Sequence, residues 1–200
     1  MAFIVFEGPD GAGKSSQALA LLQKMESSGY PVILTREPGG TPLGESVRTV
    51  LKTTSLYEPL SELFLFLAAR SELVETVIKP ALKNNINVIS DRFTGSTTAY
   101  QGHGQGLDLK AICRLNKLAC SDLAADLTIL LDLPSEMIAS RKSDGAQDKF
   151  DLSSIEFHRK VREGYLSIAR KEKINWLVLD ATRAKETLSQ EIWTKIRPLL

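Results

Sequence analysis

Residues Gly8-Pro9-Asp10-Gly11-Ala12-Gly13-Lys14-Ser15 are a full GxxxxGK[ST] match and constrain the fold more than any other stretch of the chain. The run before them, Ala2–Glu7, is short and apolar, as a fully buried strand is. After them, Ala18, Leu21, Leu22 and Met25 recur at helical spacing until Gly29, which predicts a helix over Lys14–Ser28. Strand, glycine turn and helix, in that order, are the context in which such a loop wraps phosphate. Glycines let backbone N–H groups point inward at phosphate oxygens, in conformations a side chain would block. The helix start adds the positive end of its dipole. Lys14 is expected to reach the β- and γ-phosphates, and Ser15 to offer its hydroxyl to Mg2+. Gly8, Pro9, Asp10, Gly11, Ala12, Gly13, Lys14, Ser15 and Ser16 thus form a candidate ATP-phosphate cradle.

Four more apolar runs read as strands: Pro31–Thr35, Ile86–Ser90, Leu127–Leu131 and Trp176–Leu179. Helical spacing covers Leu43–Lys52, Pro59–Lys83, Leu109–Ser121, Pro134–Arg141, Leu152–Lys171 and Ala184–Ile196. Strands that are apolar throughout and separated by helices pair in parallel, with both sheet faces covered. The expectation is an α/β fold: three layers, α/β/α, around a five-stranded parallel sheet. No repeat or Pro/Gly-rich linker divides residues 1–200, so one domain is expected. Lys142–Lys149 (KSDGAQDK) is polar and aperiodic, as a mobile surface loop is.

Charge narrows the function classes. The chain has 25 Lys and Arg against 24 Asp and Glu, a net charge of +1. Proteins that coat DNA or RNA draw their affinity from a basic excess, so no nucleic-acid polymer is expected as a partner. The longest apolar run, Leu63–Ala69, is far short of the ~20 residues that span a bilayer, so no membrane is expected either. Cys113 and Cys120 stand seven apart in a helical pattern, and His103 and His158 are the only histidines. Both cysteines are expected to be small core residues in a reducing compartment, and the location cytoplasmic.

Other polar clusters fall where strands end, the place ligands occupy in open α/β sheets. Pro31–Thr35 runs into Arg36-Glu37-Pro38-Gly39-Gly40-Thr41, and Ile86–Ser90 into Asp91-Arg92-Phe93. Asp91 could hold the metal or its waters, and Arg92 could clamp a phosphate with its planar fork. Asn116-Lys117-Leu118-Ala119 mimics the guanine-reading NKxD motif but carries Ala where the Asp belongs. Asp132 ends an apolar run, as a motor ATPase would need, yet nothing else in the chain supplies such machinery.

GPDGAGKSS, TREPGGTPLGESVR, FLFLAARSELVETVIKPAL, DRFTGSTTAYQG and DATR stand in the order and spacing of bacterial thymidylate kinases, which the chain resembles over nearly its whole length. The resemblance implies a fold of the P-loop kinase type and transfer of the ATP γ-phosphate to dTMP. By motif position it implies that Arg36 and Arg92 grip the dTMP phosphate, with Asp10 beside sugar and phosphate and Glu37 in the same site. Phe66 would stack on thymine and Arg70 reach a base carbonyl; their spacing of four puts both on one helix face. Ser96 and Thr97 would offer hydroxyls to the base edge, while Tyr100 and Gln101 would close the sugar side. Arg183 would lie against the purine of ATP.

Members of the family it resembles carry a catalytic Arg either in the phosphate loop or in the lid. The loop here has none, so the resemblance implies that a lid at about residues 141–151 supplies the positive charge. Family lids are Arg-rich. Here Arg141, Lys142 and Lys149 are present, with Lys149 where an Arg is expected, and Arg141 or Lys149 could carry the role. Ser15 and Asp91 are the expected metal set, since Mg2+ keeps several waters. A cis Glu37–Pro38 bond is also suggested. Residues Pro59–Lys83 are apolar nearly all round, which fits a helix buried on several sides and, by resemblance, a homodimer. Two other readings remain: another nucleoside or nucleotide kinase of this fold, or a nucleotide-binding regulator without turnover.

Overall fold

The structure is a computed structural model describing residues 1–53, 58–138, 141 and 154–200. Along the chain run β1 (Phe3–Glu7), α1 (Lys14–Ser27), β2 (Val32–Arg36), α2 (Pro42–Thr53) and α3 (Pro59–Leu73). A π-helical turn, Val74–Ile78, joins α3 to α4 (Lys79–Lys83). β3 (Asn87–Asp91) and α5 (Thr94–Thr97) follow, and α5 continues as a second π-helical stretch, Thr98–Gly104. Then come α6 (Leu109–Cys120), β4 (Leu127–Asp132), α7 (Ile155–Lys171), β5 (Trp176–Asp180) and α8 (Lys185–Ile196).

The sheet has five parallel strands in the order β2-β3-β1-β4-β5. Its centre, β1, is buried at every position, which explains why the run is apolar without alternation. Phe6 pairs with Asp91 and with Ile129, so the C-terminal ends of β1, β3 and β4 lie at one edge. One apolar layer packs α1 and α8 on one face through Ile4, Phe6, Leu21, Met25, Leu188 and Ile192. The other joins Phe3, Val5 and Val88 to Leu73, Val74 and Ile78. The three-layer α/β expectation is met.

Several local expectations need correction. The helix read over Pro134–Arg141 is, among the described residues, 3-10 rather than α: Ser135–Met137 is closed by Met137 N–H to Pro134 O and Ile138 N–H to Ser135 O, and Arg141 N–H donates to Ile138 O. Residues 94–104, with Gly95, Gly102, Gly104 and three threonines, carry little helix propensity and yet are helical. Packing against α7 and the Glu7 carboxylate supply what propensity lacks: Glu7 accepts the Phe93 and Ser96 N–H groups at 2.9 Å each. Cys120 is buried as expected, but Cys113 is exposed on α6. On α3, Leu63, Leu67 and Leu73 are buried, whereas Leu60 and Phe64 are half-exposed. The lid residues Lys142 and Lys149 lie outside the described residues.

Candidate active site

Two cavities open at the C-terminal edge of the sheet. The larger, about 1220 Å³, is lined by the loop after β1, by Arg36, Asp91 and Arg92 at strand ends, and by Arg141 and Arg183. The smaller, about 150 Å³, is lined by Phe66 and Arg70 of α3 and by Arg92, Ser96, Thr97, Tyr100 and Gln101. Asp10, Glu37, Arg48 and Arg92 face both.

The loop after β1 has the shape its glycines allow. Gly8 sits at φ 139° with its Cα against the Leu131 carbonyl, where a Cβ would collide. Gly13, at φ 89°, caps α1 without a side-chain bond, leaving first-turn N–H groups toward the cavity. Lys14 is buried, its Nζ donating to the Pro9 carbonyl at 2.8 Å. Burial, reinforced by the nearby Arg92 charge, pulls its pKa down to about 8. The Ser15 hydroxyl donates to Asp91 Oδ2 at 2.5 Å. Asp91 Oδ1 is buried and has no hydrogen-bond partner among the described residues. Two hard oxygen donors side by side, one unsatisfied, fit a magnesium ion or its waters.

Arg92 is the hub. Its φ of 78° lies in the left-handed region, uncommon outside glycine. Its N–H donates to Phe6 O at 2.9 Å. Nη1 donates to Gly8 O, Ser96 Oγ and Tyr165 Oη, at 3.2, 3.0 and 3.2 Å. Nη2 pairs with Asp10, and the Tyr100 ring lies 5.3 Å beneath the guanidinium. Burial works against the Arg92 charge, but Asp10 outweighs it and holds the pKa well above the ordinary value. Burial alone would raise the Asp10 carboxyl, yet Arg92 and Lys14 hold it well below the usual range. Tyr100 also donates to Asp10, at 3.1 Å.

The smaller cavity rests on Arg70, which is 1% exposed. It donates Nε and Nη2 to Glu37 at 2.8 and 2.6 Å, Nη1 to Asn116 Oδ1 at 2.7 Å, and Nη2 to Phe93 O at 3.0 Å. Burial pushes the Glu37 carboxyl up, and Arg70 pulls against it. The NKxD look-alike thereby acquires a structural reason: Asn116 is an acceptor for Arg70. A cis Glu37–Pro38 bond is present.

The residues expected from sequence divide into groups. Arg36 reaches the larger cavity but is half-exposed and paired with Glu45 at 3.1 Å. The Ser96 hydroxyl donates to Glu7 at 2.6 Å and accepts from Arg92, so it belongs to the Arg92 network as well as to the cavity wall. Arg141 Nη1 donates to Ala181 O at 2.7 Å, and Arg183 pairs with Glu191 at 2.8 Å; both still line the larger cavity. Asp132 is taken by Arg162 in a two-bond pair at 2.7 and 2.8 Å.

Sequence reasoning missed two residues. Arg48, on α2, lines both cavities and donates Nη1 to Pro38 O at 3.0 Å; an arginine on an otherwise ordinary amphipathic face gave little signal. Glu7, 0% exposed, accepts from Phe93, Ser96 and Tyr165. Burial pushes its carboxyl up, against Ser96 and Arg92. An acid ending a wholly buried strand was the available clue.

Comparison with known proteins agrees with this geometry. A family model described as thymidylate kinase matches residues 6–192. The thymidylate kinase of Geotalea daltonii is 47% identical over 196 residues, 92% of this chain and 92% of its own. That of Thermomicrobium roseum is 42% identical over 200 residues, 99% of this chain and 95% of its own. The crystal structure of thymidylate kinase from Ehrlichia chaffeensis matches with a TM-score of 0.79 at 38% identity, covering 98% of this chain and 97% of that one. With its phosphate loop, its two joined cavities and these relatives, the chain belongs to the thymidylate kinase family.

Proposed function

We propose a division of labour for phosphoryl transfer from ATP to dTMP, giving ADP and dTDP, in which the larger cavity takes ATP and the smaller one thymidylate. The observation that carries it is the shared wall. Asp10, Glu37, Arg48 and Arg92 border both cavities, so two nucleotides seated there would meet phosphate to phosphate. Gly8 through Ser16 hold the ATP phosphates, with Lys14 leaving the Pro9 carbonyl to reach them. Arg183 also lines that cavity and is taken as the adenine-side residue, while Arg141 lies against Gly11 of the phosphate loop. Arg36, Arg48 and Arg92 supply charge-assisted donors to the dTMP phosphate.

In the smaller cavity Phe66 offers a ring face to the base, and Tyr100 sits on the sugar side against Asp10. Arg70 has five N–H groups, and its contacts with Glu37, Asn116 and Phe93 leave one Nη1 hydrogen for a base carbonyl. Ser15 and Asp91 would hold magnesium, which when bound offsets charge on the phosphate oxygens. Arg141 or Lys149 adds lid charge in the transition state. The half-exposed Leu60 and Phe64 on α3 suit burial in a homodimer; sedimentation of the native protein and of Phe64→Glu should give a dimer and a monomer.

An ADP-release assay with dTMP, dUMP, dCMP, dGMP and thymidine tests the reading. Best activity on dTMP is expected, and best activity on any other acceptor overturns it. Turnover that depends on Lys14 and Arg92 dismisses a non-catalytic regulator. A cytoplasmic location fits a chain in which no helix among the described residues is long and apolar enough to cross a membrane.

A further inference from the structure

Glu62, Phe66 and Arg70 stand four apart on α3 and form one stripe. Phe66 and Arg70 line the smaller cavity, while Glu62 lies behind it at 0% exposure. Glu62 Oε1 accepts from Gln101 Nε2 at 2.8 Å and from Gln105 Nε2 at 2.9 Å. A carboxylate offers acceptors only, so the Gln101 amide turns its NH2 toward Glu62. The atom of that amide left to the cavity is the carbonyl oxygen, and Gln101 lines the wall together with Phe66 and Arg70, so it is taken here as a base contact and not, as expected from sequence, a sugar-side one.

We propose that Glu62 is a positioning residue for the choice of pyrimidine: by holding the Gln101 amide in one orientation, it presents an acceptor to a base that carries a ring N–H and turns away a base with a lone pair there. The inference rests on the dTMP reading above. Thymine and uracil carry hydrogen on N3; cytosine has a lone pair. Cytosine in this pocket would set two acceptors face to face, with both unpaired, and sites built to hydrogen-bond one partner reject such an analogue strongly. Arg70 adds a separate preference, since its spare N–H suits a carbonyl and opposes the amino group of cytosine.

Glu62→Gln keeps the shape of the side chain and brings its own carbonyl and NH2, so the Gln101 amide is free to turn over. The test measures kcat/KM for dTMP, dUMP and dCMP with the native enzyme and this variant. The expected result is a dTMP-to-dCMP ratio narrowed about tenfold or more, from one polar mismatch removed. The dTMP-to-dUMP ratio should stay unchanged, because those bases share the N3 hydrogen. The double variant Glu62→Gln/Gln101→Glu returns an acceptor-only group to position 101 and should restore the narrowed ratio. It also decides the matter if the single variant fails to fold: strong dTMP preference in it supports the proposal, and lost preference overturns it. Equal losses on all three nucleotides in Glu62→Gln, with the ratios kept, overturn the proposal and make Glu62 a packing residue. A native enzyme with no preference for dTMP over dCMP removes the functional reading first, and the proposal with it.

Discussion

At the proposed phosphate end of the site, Arg36, Arg48 and Arg92 come from a strand end, a helix and a post-strand turn and reach a cavity of about 1220 Å³. At the proposed base end, Arg70 sits at 1% exposure and spends most of its donors on Glu37, Asn116 and Phe93. The two regions handle charge in opposite ways. Phosphates arrive with their own negative charge, so the protein can leave Arg36 and Arg48 partly solvated for substrate to complete their pairing, with only Arg92 held in advance by Asp10. A base arrives neutral, so a charge beside it has to be neutralised beforehand, and only one donor stays over for recognition. Loss of charge should therefore impair turnover at the first end and folding at the second.

The sharpest break at the phosphate end is Lys14→Met. It removes the ammonium proposed to track the transferring phosphoryl group, and kcat should fall at least about a thousandfold. Urea unfolding should show little lost stability, because a buried charge and its desolvation are removed together. The counterpart at the base end is Arg70→Ala. It leaves Glu37 buried without its cation and should cost about 3–5 kcal/mol in the same urea experiment. If the two variants exchange phenotypes, the contrast between the regions is wrong. Arg48→Ala should lower kcat/KM for dTMP by about ten- to a hundredfold, the worth of one charged hydrogen bond, with the unfolding midpoint nearly unmoved.

Legibility in the sequence follows the range of the interactions. The five strands were readable because β1, β3 and β4 are buried on both faces and therefore apolar at nearly every position. Arg70 was readable through the family resemblance, which the spacing of four from Phe66 supports by putting both on one helix face. The helix over residues 94–104 was not, since its residues favour turns and its support comes from α7 and Glu7, distant in the chain. Arg48, and the Glu62 contact on which the inference above rests, went unread for a related reason. Each has ordinary helical spacing, and only the fold brings the Pro38 carbonyl or Gln101 within reach. Cys113 was misplaced because helical periodicity fixes a face and not which face is covered.

The smallest effect comes from pH, and it separates lysine from arginine within the phosphate end. Burial, with Arg92 beside it, brings Lys14 to about 8, below the ordinary lysine value. The cationic form binds phosphate, so kcat/KM for ATP should fall as pH rises through about 8, by up to tenfold per unit above it. Stability carries the opposite sign. Between about 8 and the ordinary lysine value, the unfolded chain holds the Lys14 proton more tightly than the folded one, so this residue's contribution to stability rises with pH there. Arginine keeps its proton throughout this window, so dTMP affinity, proposed to rest on Arg48 and Arg92, should stay flat between pH 7 and 9. Calorimetric titration of ADP and of dTMP across that range distinguishes the cases. Parallel pH dependence for both ligands would mean that a single group, rather than lysine on one side and arginine on the other, governs the shared wall.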